Sequence, residues 1–289
     1  MLKYNYHTHM KYCNHAKGDV IDYVKEAHSL GYTELGMSDH APIPLNSMTK
    51  EEWEHNYCYE NMTLEIFEKY LNEIEDAQEK FKDMKVFKGL ESEYLEDHNI
   101  WYQNLRNKLD YMILGLHFFK NPDTKKVLDT YQDMNNKTIY KYYQNMENAI
   151  KSGLFDYIAH PDLFLFKYNG NDVSIFDEDC EIVTRKICEL SLKYDIPLEM
   201  NVNGIRFATD MNDINKWRYP NIKFWNIASE YKNLKVVIGL DAHEVSLFHS
   251  ENIEKVMNLA KSLGINITKF EVKKWYLWSM KLKVYYLKD

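Results

Sequence analysis

The chain has 289 residues, enough to bury a full core, and a net charge of −8 that leaves no basic surface for gripping a long nucleic acid. Its four cysteines (Cys13, Cys58, Cys180, Cys188) show neither CxxC spacing nor a disulfide framework, and no apolar run approaches the ~18 residues of a membrane span. With a polar start and no signal peptide, a reducing cytoplasm is the expected location and no membrane partner is expected.

The chain opens with Tyr4-Asn5-Tyr6-His7-Thr8-His9, a short β-prone run ending in two histidines spaced i, i+2. A strand projects such residues from one face, and two imidazoles converging at a strand end make half of a transition-metal site. Asp19 can cap a helix over residues 20–30, with Val20, Val24 and Ala27 on one face and Gly31 as its stop. Residues 32–37 read as a strand running into Ser38-Asp39-His40. Residues 41–62, with Pro42, Pro44 and Trp53, read as a long rim loop, and a connection of that length in a compact domain is more often functional than idle.

Thr63 opens a helix whose Leu64, Phe67, Leu71, Ile74 and Phe81 form a stripe for core packing. A strand over 85–90 then delivers Glu91, and after a helix near 99–109 the strand 111–116 delivers His117. A helix over 137–152 precedes the strand 156–159 and His160, and a helix over 178–194 precedes the strand 197–202, which carries Glu199 and Asn201. The strand 235–240 ends in Asp241-Ala242-His243, and a last helix covers 246–263. Residues 265–289, rich in Trp, Tyr and Lys, read as a C-terminal extension packed on the rest.

Seven strand–helix units in series predict a single α/β domain over 1–289, with a parallel sheet closed or nearly closed into a barrel. The competing open, doubly wound sheet lacks the glycine-rich phosphate loop such sheets carry after a strand. In a barrel the C-terminal strand ends share one rim, so His7, His9, His40, Glu91, His117, His160, Asp241 and His243 converge there, and His15 follows in the first loop. A lone histidine is most often a surface or core residue, and His28, His98 and His249 take that reading within or beside helices. His55, in the rim loop, can reach a substrate, with plain solvent exposure as the competing reading. Glu93 can replace Glu91 but suits a supporting role better; Asp39 and Asp162 are placed to orient imidazoles, and Cys13 reads as a small buried residue rather than a soft ligand.

These motifs (His7-Thr8-His9, His15, Ser38-Asp39-His40-Ala41-Pro42, Gly89-Leu90-Glu91, His117, Ala159-His160-Pro161-Asp162 and Gly239-Leu240-Asp241-Ala242-His243) resemble the PHP (polymerase and histidinol phosphatase) family, and within it the monofunctional histidinol-phosphatases. The resemblance implies a distorted (β/α)7 barrel with the metal site at the C-terminal rim. It implies one metal on His7, His9, Glu91 and Asp241, a second on bridging Glu91 with His117 and His160, and a third on His15, His40 and His243. The implied cofactors are two to three divalent ions, zinc, iron or manganese. It further implies a phosphomonoesterase of histidine biosynthesis acting on L-histidinol phosphate, with a metal-bridging water as nucleophile and Glu91, Asp241 and His243 as catalytic residues. Asn201-Val202-Asn203-Gly204-Ile205-Arg206 resembles the family's substrate segment, so Asn201 and Arg206 join His55 as substrate-binding candidates. Two alternatives stay open, another small phosphate ester or nucleotide as substrate and a metal-bound regulatory module without turnover, and the oligomeric state is open too.

Overall fold

Strand and helix alternate along the chain in the computed structural model, which describes residues 2–272. The strands are β1 (Tyr4–Asn5), β2 (Glu34–Met37), β3 (Lys85–Lys88), β4 (Glu91–Ser92), β5 (Ile113–Leu114), β6 (Phe118–Lys120), β7 (Val127–Asp129), β8 (Tyr157–Ile158), β9 (Leu198–Asn201) and β10 (Val236–Gly239). The helices are α1 (Val20–Ser29), α2 (Lys50–His55), α3 (Leu64–Lys80), α4 (Asn99–Arg106), α5 (Ile139–Lys151), α6 (Glu178–Tyr194), α7 (Ile222–Ala228) and α8 (Asn252–Ser262). Helix starts have local causes. Thr63 accepts the Ile66 N–H at the start of α3, and Asp177 accepts the Cys180 N–H at the start of α6.

The strands pair in parallel as two ladders, β1-β2-β3 and β10-β9-β8-β5-β4. Isolated parallel bridges join Thr8 to Ala242 and His40 to Glu91 at the ladder margins. The expected α/β fold with parallel strands is present, but the ladders as such do not form one continuous closed sheet. The reason is local: most strands run only two to four residues before the chain turns to present a rim side chain. Three stretches escaped the sequence reading. The stretch 41–62 contains α2 and a 3-10 turn at Cys58–Glu60, β6 and β7 pair as an antiparallel hairpin with Phe118 opposite Asp129, and α7 covers the crossover from β9 to β10. The helix expected over 246–263 is a 3-10 turn at Val245–His249 followed by α8.

Amphipathic helices cover the ladders; α3, for example, buries Phe67, Tyr70, Leu71, Ile74 and Ala77. A second, smaller cluster lies between the strands themselves and contains Tyr6, Tyr111, Ile113, Tyr157, Val237 and Phe270. Tyr111 is its centre: the hydroxyl donates to the Tyr6 carbonyl at 2.7 Å, and the ring meets Tyr6 edge-on. Gly36 and Gly89 make room for it, since a Cβ would stand 2.2 Å from the hydroxyl at the first and 2.3 Å from the ring at the second. Of the C-terminal extension, Ile267 bridges Val236, Thr268 donates to the Val236 carbonyl at 2.7 Å and Phe270 packs on Tyr6, Tyr111 and Tyr157. Residues 273–289, the rest of that extension, lie outside the described residues. All four cysteines are buried and free, and no helix among the described residues is long and apolar enough to cross a membrane.

Removing the Tyr111 ring leaves a void among strands that cannot collapse around it. Tyr111→Ala is expected to cost roughly 3–5 kcal/mol of unfolding free energy, read by urea denaturation. A loss under about 1 kcal/mol would mean that the ring is not what packs the strands together.

Candidate metal centre

Parallel strands bring their C-terminal ends to one rim, and that rim collects the ligand-type residues. His7 and His9 follow β1, His40 follows β2, Glu91 opens β4, and His117, His160 and the Asp241/His243 pair follow β5, β8 and β10. His15 reaches the same place from the first loop, where Asn14 turns the chain through the left-handed region (φ 63°). His160 (φ 28°) and Asp241 (φ 50°) also have left-handed backbones, a strained conformation that non-glycine residues keep where surrounding structure demands it.

The donor atoms crowd to coordination spacing. His7 Nε2 lies 3.0 Å from His9 Nε2, 3.3 Å from Glu91 Oε2 and 3.6 Å from Asp241 Oδ1. His9 Nε2 lies 3.3 Å from Glu91 Oε2 and 3.2 Å from Asp241 Oδ1. A tetrahedral ion with ligands at about 2.0–2.1 Å sets neighbouring donors about 3.3–3.4 Å apart, so these four residues fit one. The other carboxylate oxygen faces a second group: Glu91 Oε1 is 2.7 Å from His160 Nε2 and 3.5 Å from His117 Nε2, which are 3.2 Å from each other. A third convergence involves His15, His40 and His243. His15 and His243 bring their Nε2 atoms to 2.8 Å, and the His40 ring centre stands 5.3 Å from that of His15 and 6.3 Å from that of His243. Donor atoms of His9, His40 and His243 lie within 4.8 Å of one another, and His40 Nδ1 is 3.4 Å from Glu91 Oε2.

Outer contacts aim the imidazoles. The Nδ1–H groups of His7, His117, His15 and His243 are each committed to an oxygen: Glu199 Oε1 (2.7 Å), Glu93 Oε1 (2.8 Å), the Cys13 carbonyl (2.9 Å) and the Asp241 carbonyl (3.0 Å). That arrangement leaves each Nε2 lone pair facing the centre. Burial by itself raises a carboxyl, yet His7, His117 and His160 outweigh it at Glu91 and hold it well below the usual range; His7, His243 and His9 do the same at Asp241. Burial opposes the His7 cation too, but Glu199, Glu91 and Asp241 prevail and raise it to about 10, while His15 falls to about 4 through burial and its neighbours His243 and His9. The carboxylates therefore demand positive charge at the inner histidines, which protons or a cation can supply.

Three expectations need correction. His55 does not line the cavity; its ring is turned onto Asp133 at 2.8 Å at the exposed end of α2. Asn201 is fully buried beneath the rim, its side-chain amide donating to Glu199 Oε2 and Asp241 Oδ2, so it braces carboxylates instead of facing a substrate. Asp162 orients no imidazole: it accepts the Asn221 N–H and the Trp225 indole N–H and so anchors α7. Asp39 accepts the Met10 and His40 N–H groups and stands 3.5 Å from His9 Nδ1. Cys13 is a buried thiol pushed up to about 11, chiefly by burial.

The sequence reading missed Glu199, which supports both donor groups: Oε1 holds His7 while Oε2 accepts the His160 N–H at 3.1 Å. The available signal was a carboxylate in the middle of an otherwise apolar strand, which must be paired to be buried. Gly239 makes room for it, because a Cβ there would stand 1.6 Å from Glu199 Oε1. Above the donors opens a cavity of about 330 Å³, lined among others by Glu60, Asp129, Tyr131, Asn203, Arg206 and Tyr219. Arg206 lies over the Phe207 ring with its guanidinium 4.5 Å from the ring centre, and Asp210 and Asp213, acids nearby in sequence, accept N–H groups of their own turns.

The chain is 30% identical over 166 residues to a Deinococcus radiodurans protein named "Probable histidinol-phosphatase", a match covering 54% of this chain and 59% of that one. It is 24% identical to a Clostridium acetobutylicum protein named "Probable phosphatase", over 90% of this chain and 85% of that one. Among solved structures, a Lactococcus lactis histidinol phosphate phosphatase complexed with zinc, L-histidinol and phosphate superposes with a TM-score of 0.65 at 16% identity, covering 95% of this chain and 99% of the other. The hisK protein of Listeria monocytogenes gives a TM-score of 0.67 at 20% identity, covering 87% and 99%. At those identities the structural likeness is one of fold. The PHP domain family model matches residues 5–203, well over half of the sequence, and the chain belongs to the PHP domain family.

Proposed function

We propose that this chain is a metal-dependent phosphomonoesterase that hydrolyses L-histidinol phosphate to L-histidinol and phosphate, a step of histidine biosynthesis. The observation that carries the reading is Glu91, a buried carboxylate with one oxygen toward His7 and His9 and the other toward His117 and His160. We read the two ladders, with β3 and β4 counted as one interrupted strand, as a single distorted seven-stranded barrel over one domain; the bridges Thr8–Ala242 and His40–Glu91 support that closure.

Two to three divalent ions, zinc, iron or manganese, are assigned to the rim: one to His7, His9, Glu91 and Asp241, one to Glu91, His117 and His160, and one to His15, His40 and His243. When bound, such ions supply Lewis-acid charge to phosphoryl oxygens and lower the pKa of a coordinated water from 15.7 toward ~7. The chain's own residues do the rest. Arg206 offers a planar guanidinium fork that takes two phosphoryl oxygens at once and adds to the charge stabilisation an in-line displacement requires. Asp241 and His243 line the cavity beside the donors, and Asp241 or a rim histidine relays the proton given up by the attacking water to the departing alkoxide. Glu199, Glu93 and the Cys13 and Asp241 carbonyls hold four imidazoles in register throughout. The substrate assignment draws on the named Deinococcus relative and on the L-histidinol and phosphate held by the Lactococcus structure.

Protein reconstituted with zinc, manganese or iron, tested on a panel of phosphate esters, should favour L-histidinol phosphate over nucleoside monophosphates by roughly tenfold or more in kcat/KM. A preference for nucleotides, or no hydrolysis with any metal, contradicts the assignment.

Glu199→Gln keeps shape but removes the charge that orients His7. It should weaken metal binding by roughly 10–100-fold in a chelator-competition titration while thermal unfolding of the metal-free protein shifts little. Unaltered metal affinity would reduce Glu199 to a packing residue.

A further inference from the structure

We propose that Glu60 is a specificity-determining carboxylate that selects phosphate monoesters whose alcohol carries a positive charge close to the ester oxygen. This rests on the phosphatase reading above and assigns the part of the cavity that the metals and Arg206 do not use.

Glu60 ends the 3-10 turn Cys58–Glu60 in the rim loop, and its side chain, 38% exposed, lines the cavity above the donors. Its Oε2 lies 3.6 Å from His15 Nδ1, but that N–H is committed to the Cys13 carbonyl at 2.9 Å, so Glu60 is not engaged in holding His15. Among the described residues no lysine or arginine pairs with it. Asp129, at the end of β7, adds a second negative charge to the lining. It already accepts the Tyr131 N–H and the Gln132 amide, which leaves Glu60 as the carboxylate with capacity for a ligand.

An independent observation points to the same kind of ligand. Asn203 is 95% buried and lines the cavity beside His243, and its Oδ1 has no hydrogen-bond donor among the described residues. Asn203 stands beside His243 and Glu60 beside His15, and Glu60 presents its carboxylate to the cavity. A ligand that fits brings donors: an ammonium or imidazole N–H.

The three classes of leaving group fare differently here. An anionic one meets the Glu60 and Asp129 charges and is repelled. A neutral one desolvates Glu60 on binding and returns no charged hydrogen bond. A cationic one forms charge-assisted hydrogen bonds with Glu60. Tyr131, whose ring lies parallel to His117 at 6.1 Å, and Phe166, edge-on to Tyr131 at 5.0 Å, add aromatic faces that favour a cation or a flat heterocycle. L-Histidinol carries both an ammonium and an imidazole.

The test compares Glu60→Gln with wild type on L-histidinol phosphate, ethanolamine phosphate and the neutral-leaving-group ester p-nitrophenyl phosphate, with bound metal measured for each protein and L-histidinol binding followed by calorimetry. The proposal expects the ratio of kcat/KM for the cationic esters over the neutral one to fall by roughly 10–100-fold, mostly through KM, with metal content equal to wild type and weaker L-histidinol binding. Equal losses on all esters, a loss of metal, or an unchanged ratio would overturn it and return Glu60 to a supporting or surface role. If wild type prefers ethanolamine phosphate to L-histidinol phosphate and the ratio still collapses in the variant, the substrate assignment falls while the role of Glu60 stands. If wild type hydrolyses neutral esters best and the variant keeps that ratio, this inference falls while the phosphatase reading stands.

Discussion

A buried carboxylate must be matched by positive charge, and at Glu91 that requirement organises the molecule. The side chain is almost fully buried, and among the described residues it is met by imidazoles from four other strand ends, His7 and His9, His40, His117 and His160. Isolated in an apolar interior the charge would cost several kcal/mol, and protonated histidines crowded at 3 Å would repel one another. Divalent ions between them relieve both problems at once. The rim is therefore stable as a site only when its charges are balanced, which ties the folding of the strand ends to the chemistry they support.

The fold meets that requirement through space and backbone as much as through ligands. Gly115 leaves room for Glu91, whose carboxylate a Cβ there would meet at 2.2 Å, and Gly239 does the same for Glu199. The left-handed backbones of His160 and Asp241 turn the chain just past the ends of β8 and β10, at the rim. Below the rim, Tyr111 and its aromatic neighbours fill the space between the strands. A packed floor under a polar rim keeps the donors from spreading apart, because dense interiors resist small displacements.

Much of this was legible in the sequence because strand ends are marked by chemistry. Apolar runs ending in histidine or a carboxylate located six of the seven strands, and helical stripes such as that of α3 located the intervening layers. What escaped was decided by tertiary context. Asn201 and Asn203 look alike in sequence and both are buried, yet a strand that ends between them sets the first beneath the rim and the second among the residues lining the cavity. His55 read as a substrate contact, but Asp133, just past a hairpin whose strands are too short to announce themselves, takes its ring. Glu199 was read as part of a strand, and only the fold shows that it reaches two donor groups. The rim loop was recognised for its length, but its contribution, Glu60 over His15, depends on where it folds back.

The central claim is that nine residues from seven segments form one polynuclear metal centre. Elemental analysis of gently purified protein tests it most directly. About two to three equivalents of zinc, iron or manganese per chain are predicted, falling together in Glu91→Gln, which faces both inner donor groups. Recovery of well under one equivalent, with none taken up on adding zinc, manganese or iron, would contradict the account.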